Sequence, residues 1–167
     1  MSSDLSGRGN ELRLNGEELV ALLRTNIERG LSLRFRARGF SMSPFIKDGD
    51  VVTISPALGA SPRPGDIVAF RCPSTGKLLV HRAIGKIGDL YLMQGDNVST
   101  MDGGVDGKDI LGLVRRVERN GRTVRIGLGP ERSMIAFLSR RGVLLSLLRP
   151  AWSFFRSPFR GNKNKIK

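Results

Sequence analysis

Ser41, His81, Asp96 and Asp102 are the residues of this chain whose types and order could do chemistry. Ser41 lies in Gly39-Phe40-Ser41-Met42-Ser43-Pro44, where a glycine lets the backbone come close and a proline breaks regular structure soon after. A serine hydroxyl is a weak nucleophile and needs a neighbouring base to take its proton. His81 is the one histidine, and carboxylates follow it at Asp96, within Gly95-Asp96-Asn97, and at Asp102. An unperturbed imidazole, with a pKa of about 6.5, is mostly neutral at pH 7 and can accept that proton. Taken singly, a turn serine and a strand histidine are ordinary structural residues. As an ordered set they point to a hydroxyl nucleophile, an imidazole base and a carboxylate to orient it.

The elements around them read as mainly β. Residues 1–14 are polar and Gly/Ser-rich at the start and are expected to be disordered. Asn15 can cap an amphipathic helix over 16–29, with Glu17 and Glu18 in its first turn and an apolar stripe of Leu19, Leu22, Leu23 and Ile27. Gly30 is a natural stop. From Leu31 to Arg38 the period changes to two, with Leu31, Leu33, Phe35 and Ala37 on one face and three arginines on the other, and this strand leads into Ser41. Further strands are expected at 51–55, 67–70, 77–86, 90–94, 110–119 and 122–127. Asn120-Gly121 is the strongest turn signal of the chain. Short strands separated by Gly-rich turns predict a β barrel or sandwich over 31–130, preceded by the helix of 15–30.

At 167 residues and 40% apolar composition the chain is one domain with extensions and can build a real core. The net charge is +13 and the pI about 11.3, with arginines clustered at 34–38, at 115–125 and from Arg132 onward. Such a balance favours an acidic partner. The few aromatics are mostly Phe and form no basic-aromatic motif, so anionic lipid is preferred to nucleic acid. Cys72 is alone, which excludes an intramolecular disulfide, and the composition offers no zinc cluster. No apolar h-region or membrane anchor is visible near the N-terminus. In the tail, 131–167, the blocks 134–138, 143–148 and 152–155 are broken by arginines and end in a basic run. The tail reads as a helical segment lying in a membrane interface, with helices packed on the core or a protein-binding surface as the alternatives.

The motifs Gly39-x-Ser41-Met42-x-Pro44, Gly49-Asp50, Gly65-Asp66-Ile67-Val68, Val80-His81-Arg82 and Gly95-Asp96-Asn97 together resemble the signal peptidase I family over about residues 36 to 117. More narrowly, they are similar to the branch of the endoplasmic reticulum, archaea and some bacteria, in which a histidine replaces the catalytic lysine. The resemblance implies a β-rich catalytic core shared with the self-cleaving SOS-repressor peptidases, and a serine endopeptidase that cuts a signal or leader peptide. It gives Ser41 the role of nucleophile and His81 that of general base. Asp102 falls where the branch carries its third member and is preferred to Asp96, which would support the site. Gly39, Met42 and Pro44 would border the substrate, and the Ser41 N–H could donate to the oxyanion. No cofactor or metal is implied. Family members are held by an N-terminal membrane helix. Without one here, the expected address is the cytoplasm or the inner face of the membrane, with the basic tail on anionic lipid. The competing readings are a self-cleaving regulator of the repressor type and a non-catalytic β module that binds peptide or lipid.

Overall fold

The computed structural model describes residues 16–57, 61–144, 146 and 147. The segment 1–14, the cap Asn15, the apolar block 152–155 and the basic end of the tail lie outside the described residues. Among the described residues eight strands follow one helix: α1 (Gly16–Glu28), β1 (Leu33–Arg36), β2 (Val51–Ser55), β3 (Ile67–Arg71), β4 (Leu78–Ile87), β5 (Leu90–Gln94), β6 (Gly104–Val105), β7 (Ile110–Arg119) and β8 (Arg122–Val124). A second helix, α2 (Arg132–Arg140), comes after them. All the strand pairs are antiparallel and form one sheet in the order β1-β2-β7-β3-β4-β5-β6, with β8 paired to β7. The mainly β architecture expected from the sequence is therefore the one the protein has.

Register irregularities between Thr53 and Ile54, Ala69 and Phe70, and Ala83 and Gly85 interrupt the ladders. Such irregularities bend strands and increase local twist, which lets one sheet curl and cover two cores. β3 lies between β7 and β4, and its run Ile67-Val68-Ala69-Phe70 is buried on both faces. Ile67 and Ala69 join Leu23, Ile54, Leu111 and Val117 in one core. Val68 and Phe70 join Ala83, Met93 and Val105 in the other. That two-sided burial explains an apolar run without alternation.

Two strands are shorter than the sequence reading has them, and one helix buries a different face. β1 is shorter than 31–38, and Leu31 is exposed. β8 ends at Val124, because the chain turns through Gly127 at φ +92°, where the side chain of Phe45 occupies the space a Cβ would need. On α1 the buried positions are Val20 and Leu23, while Leu22 is exposed. The Asn120-Gly121 turn has φ of 50° and 73°, the two positive values a two-residue type I′ hairpin needs.

α2 packs against β4 and buries Ile135, Ala136 and Ser139, so this part of the tail is a helix seated on the core. Its Met134 and Phe137 remain exposed. Among the described residues no helix is long and apolar enough to cross a membrane.

The long connection from β1 to β2, which carries Ser41, is closed at its far end by Asp50. Arg119 on β7 donates to both carboxylate oxygens of Asp50, at 2.9 and 2.7 Å, and to the carbonyl of Phe45 at 3.2 Å, while the Lys47 N–H donates to Asp50 at 2.8 Å. Burial alone would push the Asp50 carboxyl up; the Arg119 guanidinium and the Lys47 N–H outweigh it and hold the carboxyl below the usual range. A depressed carboxylate stabilises the fold above its unfolded pKa of about 3.9, and that contribution disappears as pH falls through the folded value. Asp50→Asn is expected to cost about 1.5–3 kcal/mol at pH 7, the range for a charge-assisted hydrogen bond. Urea unfolding should show the gap between the two proteins narrowing below about pH 4. A gap that does not change with pH would mean that the charge of Asp50 is not what holds the connection.

Candidate functional site

β4 sets out the site through its alternation. His81 and Arg82 are neighbours in the strand and so point to opposite faces of the sheet. His81 pairs in register with Val68, and its ring meets Phe70 edge-on at 6.2 Å between centroids. The imidazole is buried, with 6% of its residue surface exposed.

Ser41 reaches it from the connection after β1. Two glycines at positive φ, Gly39 and Gly49, turn that connection, and the Gly39 N–H donates to Asp48 Oδ1 at 2.8 Å. Ser41 Oγ lies 2.9 Å from His81 Nε2, and Asp102 Oδ2 lies 2.5 Å from His81 Nδ1. An ionised carboxylate only accepts, so Nδ1 carries the proton and Nε2 is left to accept from the serine hydroxyl. The hydroxyl, the imidazole and the carboxylate form one continuous chain. Asp102 is only 17% exposed in its side chain, and its own N–H is fixed to the Met93 carbonyl at 3.0 Å.

Asp96 takes a different position. It lies on the other side of the sheet, in a bidentate pair with Arg82 at 2.8 and 2.7 Å. Arg82 Nη1 donates as well to the carbonyls of Gly65 and Gly127, at 2.7 and 2.9 Å. Both side chains are fully buried. Burial pushes the Asp96 carboxyl up, against the opposing pull of Arg82. Asp96 therefore does not touch the imidazole. It anchors the loop that carries Asp102.

The bordering residues divide in the same way. Gly39 is exposed beside Ser41, and Pro44 is half-buried, following a cis bond from Ser43. Met42, expected at the substrate border, is 4% exposed and belongs to the core with Ile46 and Leu23. The exposed apolar side chains next to the site are instead Phe40 and Met101, which flank Ser41 and Asp102 in sequence.

Two residues of the Gly95-Asp96-Asn97 motif carry structural roles that the sequence reading had not assigned. The Asn97 N–H donates to the Ser41 carbonyl at 2.7 Å, and its side-chain amide donates to the Phe40 carbonyl at 3.2 Å. This ties the serine turn to the β5–β6 loop and leaves the Ser41 N–H without a partner among the described residues. A Cβ on Gly95 would lie 2.7 Å from the Ser41 carbonyl oxygen and 3.2 Å from His81 Nε2, so any side chain there would wedge the pair apart. Glycine at 95 is required by close approach.

Among the described residues no group of His, Cys, Asp and Glu is arranged to hold a metal. Cys72 is buried, with its Sγ 3.2 Å from Ser74 Oγ. Of the other carboxylates, Asp66 accepts from the Arg63 N–H and pairs with Arg132, and Asp106 caps the short turn 107–109.

With this geometry in hand, the family can be stated. The family model described as Peptidase S24-like matches residues 15–114, about three-fifths of the chain and a span that contains Ser41, His81, Asp96 and Asp102. The protein belongs to the Peptidase S24-like family, a grouping of serine-peptidase folds that takes in signal peptidases and self-cleaving repressors alike. Neither a curated protein nor a solved structure matches the chain.

Proposed function

We propose that the protein is a serine endopeptidase of the signal peptidase type, cleaving a signal or leader peptide by acyl transfer through Ser41. The observation that carries this reading is the unbroken chain from Ser41 Oγ through the imidazole to Asp102, at 2.9 and 2.5 Å. In the proposed reaction Ser41 Oγ attacks the scissile carbonyl while His81 Nε2 takes its proton, and Asp102 stabilises the imidazolium. The oxyanion of the tetrahedral intermediate accepts from the Ser41 N–H. The imidazolium then protonates the leaving amine, which departs and leaves an ester on Ser41. Water, deprotonated by His81, hydrolyses the ester and returns the hydroxyl. Apart from the water, each step uses a group of this chain, and this reading assigns the exposed Phe40 and Met101, neighbours of Ser41 and Asp102 in sequence, to contact with apolar substrate residues.

An anionic membrane surface is the proposed setting. Supporting it are the charge of +13 and the exposed Met134 and Phe137 on α2, followed by Arg140 and Arg141. Apolar side chains beside guanidinium groups suit the boundary between headgroups and acyl chains.

The test is covalent labelling of the full chain by a fluorophosphonate probe, in detergent and with anionic vesicles, beside Ser41→Ala and His81→Ala. Labelling of the wild type with loss in both variants is expected. A folded wild type that does not label under either condition would sink the peptidase reading and favour a peptide-binding module. Cleavage of the protein's own chain at a rate independent of concentration, with no cleavage of added leader peptides, would favour the self-cleaving regulator.

A further inference from the structure

Helix α2 and the loop after β5 meet around a cavity of about 50 Å³, lined by Gln94, Asp96, Ser99, Ser139 and Leu144 among others. Gln94 is the register partner of Arg82, so the cavity lies on the face of the sheet opposite His81. Gln94 and Ser139 are each 5% exposed, and among the described residues Gln94 Oε1 and Ser139 Oγ have no hydrogen-bond partner. The orientation of the Gln94 amide is fixed, because Nε2 donates to the Val98 carbonyl at 2.8 Å and a flipped amide would set two acceptors against each other. Two buried polar atoms, one on each wall, thus share one small cavity without reaching each other.

Leaving each atom dry would incur the full desolvation penalty of a buried polar group. A water molecule needs about 10–15 Å³ of such volume and two to four polar partners, whereas cavities that stay dry are apolar. We propose that this cavity is a hydration site, in which bound water donates to Gln94 Oε1 and bonds Ser139 Oγ, and that the bridge makes Ser139 a positioning residue for the loop from Gly95 to Asp102. That loop holds Asp96 on Arg82, Asn97 on the Ser41 carbonyl and Asp102 on His81. The other end of α2 is fixed separately, where Glu131 Oε1 accepts from the N–H groups of Gly127 and Gly129. Through the bridge the C-terminal end of α2 sets the position of the catalytic carboxylate. The effect on catalysis rests on the peptidase reading; the hydration site does not.

A crystal structure of the full chain, at a resolution that shows ordered water, tests the site itself. Water within hydrogen-bond distance of both Gln94 Oε1 and Ser139 Oγ is expected; a dry cavity, or a direct Gln94–Ser139 bond, overturns the proposal. Its consequence is read in Ser139→Ala and in Ser139→Thr, which keeps the hydroxyl. The fluorophosphonate labelling rate of Ser41, per folded molecule, should fall roughly tenfold in the alanine variant and recover in the threonine variant, since misplacement of about 1 Å can cost about 10²-fold. A purely structural role would lower Tm and leave that rate unchanged. If the wild type does not label, the peptidase reading fails by itself, and the backbone amide shifts of Asn97 and Asp102 decide the tie. They move in Ser139→Ala if the bridge positions the loop and stay in place if it does not.

Discussion

Asp102→Asn is expected to keep the fold and lower turnover by about 10⁴-fold, the size of the loss when the aspartate of a serine triad becomes asparagine. The carboxylate only accepts, so it keeps the proton on Nδ1 and leaves Nε2 free for the serine. A carboxamide at 102 can turn its NH₂ toward Nδ1. The imidazole proton then moves to Nε2, which can no longer accept from Ser41 Oγ. The change is nearly isosteric at a side chain that is partly solvent-exposed, so urea unfolding should differ little from wild type. Fluorophosphonate labelling against time measures the chemical step without knowledge of the natural substrate. Labelling at the wild-type rate in Asp102→Asn would remove Asp102 from the catalytic unit.

Asp96 and Asp102 stand six positions apart in one Gly-rich loop, and their types alone do not divide the two roles. The division comes from β4. Alternation sends His81 and Arg82 to opposite faces, and each selects the carboxylate on its own side. That choice depends on how the loop folds back over the sheet, which no local pattern encodes. The elements with strong local signals were legible: β2 and β7 through their apolar spacing, and the Asn120-Gly121 hairpin through its turn residues. β6 is two residues long and too short to carry a period. Leu22 looked like part of the apolar stripe of α1 because it falls at helical spacing, yet the helix docks through Val20 and Leu23. Docking angle is a tertiary property. Met42 likewise has the right type for either a core or a groove, and only packing against Ile46 and Leu23 distinguishes them. The Gly95-Asp96-Asn97 tripeptide was visible as a motif, but the reason for its glycine, close approach to the Ser41 carbonyl and His81, needs three strands in place.

Arg82→Met is the substitution expected to damage stability most. Arg82 is the largest fully buried side chain among the described residues, and it serves both oxygens of Asp96 and two backbone carbonyls. Removing it leaves a buried carboxylate with no counter-charge, for which about 3–5 kcal/mol is the usual cost. The stranded carbonyls of Gly65 and Gly127 add to that. Domains of this size have roughly 5–15 kcal/mol in all, so much of the variant would be unfolded at physiological temperature. Burial already pushes the Asp96 carboxyl up, and Arg82 is the main group that opposes it. A carboxyl whose folded pKa is raised favours the fold while protonated, below its unfolded value of about 3.9, and loses that advantage as pH rises. The deficit of Arg82→Met relative to wild type should therefore be larger at pH 7 than near pH 4, the same direction as for Asp50→Asn, although here the fold raises the carboxyl instead of lowering it. Combining Arg82→Met with Asp96→Leu removes both charges and should cost less than the two single changes added together. Urea midpoints for the four proteins at the two pH values measure this. Additive losses with no pH dependence would show that Arg82 contributes packing volume and carbonyl bonds, and that its charge does not stabilise Asp96.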